Sequence, residues 1–258
     1  MARKNGRQKQ NKKNNYHLDY LTDDKVVVDI NRSDPFSSTN FSPSPKIKPF
    51  KPQTSSQKSF VSAIKSNILT FGLGPAGTGK TFCTAAMAAE AMTKGEVKQI
   101  VFTRPAVEAG PGMGFLPGKL EDKFDPYFGA FKHCLTQLLG KGVVDCAVKN
   151  NNIITEPLAY MRGKTFNDAF VVLDEAQNCT EAELKMFITR IGKSATFVIN
   201  GDLEQSDIGK NSGLYKTMNR VHALSDVQIH SFDYDDIVRS GIVRDILQTF
   251  REPESVHI

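Results

Sequence analysis

The sequence has few cysteines and lacks the patterns that mark several classes of protein. Its four cysteines include no Cys-x-x-Cys pair, so they predict neither a zinc site nor a disulfide framework. The five histidines have no spacing typical of metal ligands. No apolar run approaches the roughly 18 residues of a membrane span, and no apolar segment follows the basic N-terminus as it would in a signal peptide. We therefore expect a cytoplasmic protein with no membrane partner.

Negative charge is scarce at the start of the chain. Residues 1–53 hold 11 of the 33 Lys and Arg residues but 5 of the 28 Asp and Glu residues, so the whole excess of positive charge lies there. This segment is also rich in Asn, Ser and Pro, a composition that cannot bury enough apolar surface to offset the entropy of ordering. We predict a disordered basic tail at 1–53 and one folded domain at 54–258. The six cations from Arg3 to Lys13 suit either an electrostatic arm for nucleic acid or a solvated terminus.

A glycine-rich loop is the most specific motif. It follows the apolar run at 68–71 and precedes the Ala-rich, helix-forming stretch at 82–92. A strand, a glycine loop and a lysine in this order are typical of a nucleoside-triphosphate site, because backbone N–H groups at the start of a helix wrap the phosphates. Lys80 would reach the β- and γ-phosphates, and the Thr81 hydroxyl would bind Mg²⁺. The residues predicted to hold ATP are Gly74, Pro75, Ala76, Gly77, Thr78, Gly79, Lys80 and Thr81.

Beyond residue 54, short apolar runs alternate with helical patterns. Strands separated by helices predict an α/β fold with a mostly parallel sheet and helices on both faces. The predicted strands are 68–71, 99–103, 170–173, 196–199 and 227–232. The predicted helices lie near 57–65, 80–93, 120–139, 181–190, 213–224 and 242–250. The segment at 105–118 is rich in Gly and Pro and too long for an ordinary connection, which favours a functional loop over a permissive insertion.

Two carboxylates follow the predicted strand at 170–173. An ATP site of this kind needs a carboxylate in the Mg²⁺ shell, and hydrolysis needs a second one to activate water. Asp174 would hold the metal, and Glu175 would act as the general base. A solvated strand end is the alternative for such a pair, but the buried-strand pattern before it favours the site.

A second polar turn follows the strand at 196–199. Its sequence, Gly201-Asp-x-x-Gln205, resembles motif III of superfamily 1 helicases, in which a glutamine near the γ-phosphate orients the attacking water. Gln57 lies 17 residues before Gly74, where those helicases use a glutamine to recognise the adenine edge. The resemblance implies a catalytic role for Gln205 and an adenine contact for Gln57.

The motifs together resemble the PhoH family of P-loop ATPases. Six collinear segments carry the resemblance, at 74–81, 104–110, 114–118, 157–163, 173–178 and 189–192. The resemblance covers about residues 54–250 and implies a single RecA-like P-loop NTPase domain that assembles into a ring, expected to be a hexamer, and acts on RNA. Pro111 stands where we expect Glu in that family, so this chain departs from the family pattern in the loop for which the resemblance implies a role toward RNA.

Arginines are the remaining catalytic candidates. In ring ATPases an arginine from the adjacent subunit commonly balances the charge on the leaving phosphates. Four arginines lie in family-like segments, namely Arg104, Arg162, Arg190 and Arg239. Arg190 and Arg239 are preferred as phosphate sensors or fingers, with a structural ion pair as the alternative for each.

Basic and aromatic residues are the candidates for RNA contact. They are Arg104, Lys119, Arg162, Lys164, Phe115 and Tyr127. The two aromatic side chains could stack on bases, or could equally be anchors in the core or in an interface.

The sequence therefore predicts Mg²⁺-dependent ATP hydrolysis coupled to RNA binding or unwinding. A small-molecule kinase would share the glycine loop, but the paired carboxylates and Gln205 favour water as the acceptor. A nucleotide-gated protein, whose hydrolysis resets a protein partner, is the other alternative. The effect of single-stranded RNA on ATP turnover separates these interpretations.

Overall fold

The computed structural model of the protein describes residues 47–105 and 120–239, and residues 241, 242, 246 and 249 beyond them. Several predictions fall outside the described residues. They are the tail at 1–46, the loop at 106–119 with Pro111, Phe115 and Lys119, the side chain of Tyr127, and most of the helix at 242–250.

Helices and strands alternate along the described chain. The α-helices are α1 Ser55–Ser66, α2 Lys80–Thr93, α3 Leu120–Leu139, α4 Lys141–Lys149, α5 Glu181–Ile188 and α6 Leu214–Val221. The strands are β1 Leu69–Leu73, β2 Gln99–Thr103, β3 Ile153–Thr155, β4 Ala169–Leu173, β5 Thr196–Gly201 and β6 Val227–Ser231. All five predicted strands are present, each bound lying within two residues of its predicted place. α4 and β3 are additional to the predicted set.

Six parallel strands form one sheet within the described ranges, in the order β3-β2-β4-β5-β1-β6. Strand β1 pairs with β5 on one side and with β6 on the other. The glycine loop therefore leaves the sheet between two neighbouring strands, at the edge where the loops after β5 and β6 also begin. This single α/β domain with a parallel sheet confirms the predicted fold class and is consistent with a RecA-like P-loop domain.

Helices cover both faces of the sheet, as predicted. Phe102 of β2 packs in a core that includes residues of α1, α2, α3 and α4, whereas the adjacent Val101 packs in a second core with residues of α5 and α6. Successive side chains of a strand point to opposite faces, so these two cores lie on opposite sides of the sheet. Burial on both faces explains the nearly continuous apolar runs of the strands. No helix in the described ranges is both long and apolar enough to cross a bilayer.

The folded chain begins before the predicted boundary at residue 54. The Lys48 N–H donates a hydrogen bond to the Leu138 carbonyl oxygen at 3.1 Å. The ring of Phe50 lies 5.6 Å from the ring of Phe82 in α2. Residues 47–53 are therefore part of the domain, because their backbone and side chains pack against α2 and α3.

Candidate functional site

The predicted phosphate loop runs from the end of β1 to the first turn of α2. Gly74, Gly77 and Gly79 have φ angles of 131°, 88° and 87°, in a region that side chains rarely enter. A Cβ atom on Gly74 would lie 2.4 Å from the carbonyl oxygen of Phe232, just beyond β6. Only glycine fits this position, since the neighbouring strand end approaches the loop so closely.

Lys80 folds back over the loop. Its ammonium group donates hydrogen bonds to the carbonyl oxygens of Gly74 at 2.5 Å and Pro75 at 2.9 Å. Burial lowers the pKa of Lys80, and the negative charge of Asp202 is the largest influence that opposes this shift. The loop thus holds a partly buried cation at its centre, which is the arrangement that a phosphate chain requires.

Thr81 and Asp174 meet at the start of α2. The Thr81 hydroxyl donates a hydrogen bond to Asp174 Oδ1 at 3.5 Å. Burial, followed by the negative charge of Glu175, raises the pKa of Asp174 to about 6. A nearby divalent cation would favour the charged form of such a carboxylate, and hydroxyl and carboxylate oxygens are ligands that Mg²⁺ accepts.

The described residues also limit the kind of metal site that can form. They include no group of three or more His, Cys, Asp or Glu side chains that could hold a metal ion. Mg²⁺ bound with a nucleotide takes only one or two protein carboxylates and draws further ligands from phosphates and water. The pair of Thr81 and Asp174 fits that kind of ion.

Glu175 follows Asp174 in an unusual backbone conformation. Its φ of 57° and ψ of 40° place it in the left-handed region, which non-glycine residues occupy mainly at constrained or functional sites. Its Oε1 pairs with Arg104 Nη2 at 2.9 Å, and its Oε2 accepts a hydrogen bond from Gln177 Nε2 at 2.6 Å. The sequence alone indicates neither partner, since Arg104 is a candidate there for contact with RNA or phosphate and Gln177 has no assigned role.

The loop after β4 is tied to the loop after β5. Gln177 Oε1 accepts a hydrogen bond from the Asp202 N–H at 3.0 Å. The Asn178 side chain donates to Asp207 Oδ2 at 2.7 Å and accepts from the Asp207 N–H at 2.8 Å. Gln205 lies within this bonded segment, and its side chain is exposed. The structure thus brings the two predicted catalytic loops together at the carboxyl ends of the strands.

Gln57 lies directly against the phosphate loop. Its side chain is only 3% exposed, and its Nε2 donates a hydrogen bond to the Thr78 carbonyl oxygen at 2.9 Å. Its Oε1 accepts from the Gln53 N–H at 2.8 Å. Both ends of the amide are therefore used within the chain, where they support the loop, and the adenine contact stays a prediction.

Comparison with known proteins agrees with the motifs. The family model described as PhoH-like protein matches residues 49–251. The chain belongs to the PhoH family. It is 42% identical over 207 residues to the PhoH-like protein of Bacillus subtilis (strain 168), an alignment that covers 80% of this chain and 65% of that protein. It is 39% identical over 206 residues to Protein PhoH of Escherichia coli (strain K12), covering 78% of this chain and 58% of that protein. The chain thus spans less than two thirds of the length of these relatives.

Arg239 of this PhoH-family chain lies on its own phosphate loop. The Val238 N–H donates to the Gly77 carbonyl oxygen at 3.0 Å. A Cβ atom on Gly77 would lie 3.0 Å from Arg239 Nε. Since the Arg239 side chain is also exposed, its position suits a phosphate sensor that acts within the chain.

Arg190 lies away from the phosphate loop and is held by hydrogen bonds within its own chain. It donates hydrogen bonds to the carbonyl oxygens of Met186 at 3.1 Å and Lys164 at 3.0 Å, and to Thr189 Oγ1 at 3.2 Å. It follows α5, which returns the chain from the end of β4 to the start of β5. Arg190 therefore lies toward the amino ends of the strands, so the structure does not bring it together with the phosphate loop of the same PhoH-family chain.

Two further RNA candidates lie before β4. Arg162 is exposed, and Lys164 forms an ion pair with Glu156. Both follow the short helical turn Leu158–Met161. Their contact with RNA stays a prediction for this PhoH-family chain.

Proposed function

We propose that this chain binds ATP together with Mg²⁺ and hydrolyses the nucleotide. The observation that carries the proposal is the meeting of four groups at the carboxyl ends of β1 and β4. They are the glycine loop, the Lys80 ammonium, the pair of Thr81 and Asp174, and the Glu175 carboxylate. Membership in the PhoH family supports the same conclusion.

Each group has a role that follows from its chemistry. The N–H groups of the loop would bind phosphate oxygens, and Lys80 would exchange its two carbonyl partners for them, because hydrogen bonds between charged groups are stronger. Thr81 and Asp174 would hold Mg²⁺. The metal ion supplies positive charge that stabilises the phosphates during transfer.

Glu175 would act on the attacking water. The water oxygen forms a bond to the γ-phosphorus, the bond to the bridging oxygen breaks, and ADP leaves with that electron pair. The proton of the water passes to the Glu175 carboxylate. Gln205 would orient the water, and Arg239 would stabilise charge on the phosphates from its place beside Gly77.

We also propose that hydrolysis is coupled to RNA in a ring of subunits, a hexamer as the family resemblance implies. The excess positive charge at 1–53 supports an RNA partner, since phosphate contacts from Lys and Arg supply most affinity that is independent of sequence. The described chain contains one nucleotide-binding core, and a helicase motor needs a second surface that moves relative to the first. Assembly of copies would supply that surface, and with it any arginine that acts between subunits.

Phosphate release from ATP, measured with and without single-stranded RNA, tests the proposal. We expect Mg²⁺-dependent turnover that RNA stimulates. The variant Lys80→Ala should abolish it, whereas Lys98→Ala, at an exposed lysine paired with Asp168, should not. A turnover rate that single-stranded RNA does not change would favour a nucleotide-gated protein. Turnover that requires an added small-molecule acceptor would favour a kinase.

A further inference from the structure

The Glu175 carboxylate is held on both sides by donors from different parts of the chain. Arg104 follows β2 and reaches Oε1 at 2.9 Å, whereas Gln177 lies two residues beyond Glu175 and reaches Oε2 at 2.6 Å. The left-handed backbone of Glu175 fixes the direction in which the side chain leaves the chain. Three independent features therefore define one orientation of this carboxylate.

Both donors are themselves fixed. Gln177 is only 4% exposed, and because its Oε1 accepts from the Asp202 N–H, its Nε2 must face Glu175. Arg104 directly follows Thr103, which pairs with Leu173 of β4 in the sheet. The Asp174 N–H also donates to the Thr103 carbonyl oxygen at 3.0 Å. The sheet thus sets the distance between the Arg104 and Glu175 backbones.

This orientation is poorly suited to a base. A general base must direct a lone pair at the water whose proton it takes, but here each carboxylate oxygen already faces a donor, which occupies one of its two lone pairs and fixes where the other points. The ion pair with Arg104 is also partly open to solvent, since the two side chains are 26% and 41% exposed. A partly exposed pair contributes little free energy, so another anion can displace it.

We propose that Arg104 is a positioning residue that holds Glu175 in a resting orientation, and that a phosphate oxygen displaces it to start turnover. A guanidinium group binds phosphate in the same planar geometry in which it binds carboxylate, so the two anions compete directly for Arg104. Once Arg104 has moved to phosphate, Oε1 of Glu175 can accept a proton from water. The inference rests on the proposed role of Glu175 as the base.

Two sources could supply the phosphate oxygen, namely the γ-phosphate of ATP and the backbone of RNA. Their effects differ. If RNA displaces Arg104, the substitution Arg104→Met should raise the turnover measured without RNA and remove most of the stimulation by RNA. If the γ-phosphate displaces it, the substitution should raise turnover by the same factor with and without RNA.

The experiment compares kcat and KM for ATP in the full chain, in Arg104→Met and in Arg104→Lys, with and without poly(U). We expect kcat without RNA to rise about two- to fivefold in Arg104→Met, since a partly exposed ion pair no longer restrains the base. KM should stay unchanged if RNA supplies the phosphate oxygen, and should rise if the γ-phosphate does, because the variant then lacks a contact to ATP. Arg104→Lys keeps the charge but not the planar group, and its kcat should lie between the other two. The matched control is Arg220→Met, which removes an Arg–Glu pair of 2.7 Å with Glu181 on the surface and should leave both constants as they are.

A kcat for Arg104→Met at or below that of the full chain would overturn the inference, because Arg104 would then assist catalysis or play no part. If Arg104→Met does not fold, Arg104→Lys decides the question in the same direction. If the full chain hydrolyses ATP and neither variant is faster, the result contradicts the resting orientation of Glu175 but not the proposed function. The absence of turnover in the full chain and in both variants contradicts the proposed function, and this inference with it.

Discussion

Gln57 shows how the candidate site is held at the scale of single residues. Its amide spans the gap between the Thr78 carbonyl oxygen and the Gln53 N–H, and it is almost completely buried. Side chains that are fixed before the substrate arrives lose less entropy on binding, so these contacts prepare the loop for phosphate.

We predict that Gln57→Ala weakens the binding of GTP as well as that of ATP. The substitution leaves the Thr78 carbonyl oxygen without its partner beneath the loop, at a cost of about 1–3 kcal/mol. Fluorescent analogues of both nucleotides measure the affinities. The matched control is Gln99→Ala, at a partly buried glutamine whose amide donates to the Asn151 carbonyl oxygen. A loss confined to ATP would instead show the adenine contact that the helicase resemblance implies.

The sequence was sufficient to predict some site residues but not their partners. Lys80, Thr81 and Asp174 occupy motif positions whose spacing alone indicates their chemistry, and the structure brings them together. The pairing of Arg104 with Glu175 depends on β2 lying beside β4, and the sequence does not specify which strands are neighbours.

At the scale of elements, α1 packs against β6 through contacts with His230. The Ser56 hydroxyl and His230 Nε2 are 3.0 Å apart, and the imidazole lies 5.5 Å from the ring of Phe60 and 4.6 Å from that of Phe232. Burial lowers the pKa of His230, and the negative charge of Asp236 opposes this shift. The contact matters for the site because α1 also carries Gln57.

We predict that His230 makes the stability of the domain depend on pH. Because its pKa is lower in the folded state than the ordinary value of 6.5, the unfolded chain takes up a proton first as the pH falls. The stability that the neutral ring supports is therefore present above about pH 6.5 and is lost below it, by at most about 1.4 kcal/mol per pH unit.

Denaturant unfolding of the full chain and of His230→Phe between pH 5 and pH 8 tests this dependence. The advantage of the full chain over His230→Phe should shrink as the pH falls. The exposed histidine variant His222→Phe serves as the control and should show no such trend. A constant difference between the full chain and His230→Phe at every pH would show that the imidazole does not titrate in this way.

The elements show why parts of the fold were predictable. Strands that are buried on both faces have nearly continuous apolar runs, and these were located to within two residues. By contrast, α4 buries only Val143, Val144 and Ala147, and β3 has three residues. Such short elements form because α3 and β2 offer a surface to pack on, a tertiary effect that local sequence does not report.

At the scale of the whole molecule, the excess of positive charge lies in the tail at 1–53 and not in the rest of the chain. Ile47 and Phe50 pack against the core, so a deletion of the tail should leave both residues in place. A chain that lacks residues 1–46 keeps both side chains and the complete phosphate loop. It also loses all six cations between Arg3 and Lys13.

We predict that this deletion lowers the salt dependence of RNA binding. Each phosphate contact contributes about −0.7 to the slope of log affinity against log salt for single strands, so the slope should flatten by up to about 4. Turnover of ATP without RNA should persist. Binding of poly(U) across a salt series measures the slope, and identical slopes for the two chains would place the RNA-binding surface elsewhere.

The central claim is that this chain hydrolyses ATP with Lys80 as the phosphate cation and Glu175 as the base. Single-turnover hydrolysis and nucleotide binding, measured on the same preparations of Lys80→Ala and Glu175→Gln, test it most directly. Lys80→Ala should fail to bind ATP. Glu175→Gln should bind ATP as the full chain does and hydrolyse it about 10²- to 10⁴-fold more slowly, the usual contribution of a general base. Hydrolysis by Glu175→Gln at the rate of the full chain would contradict the account.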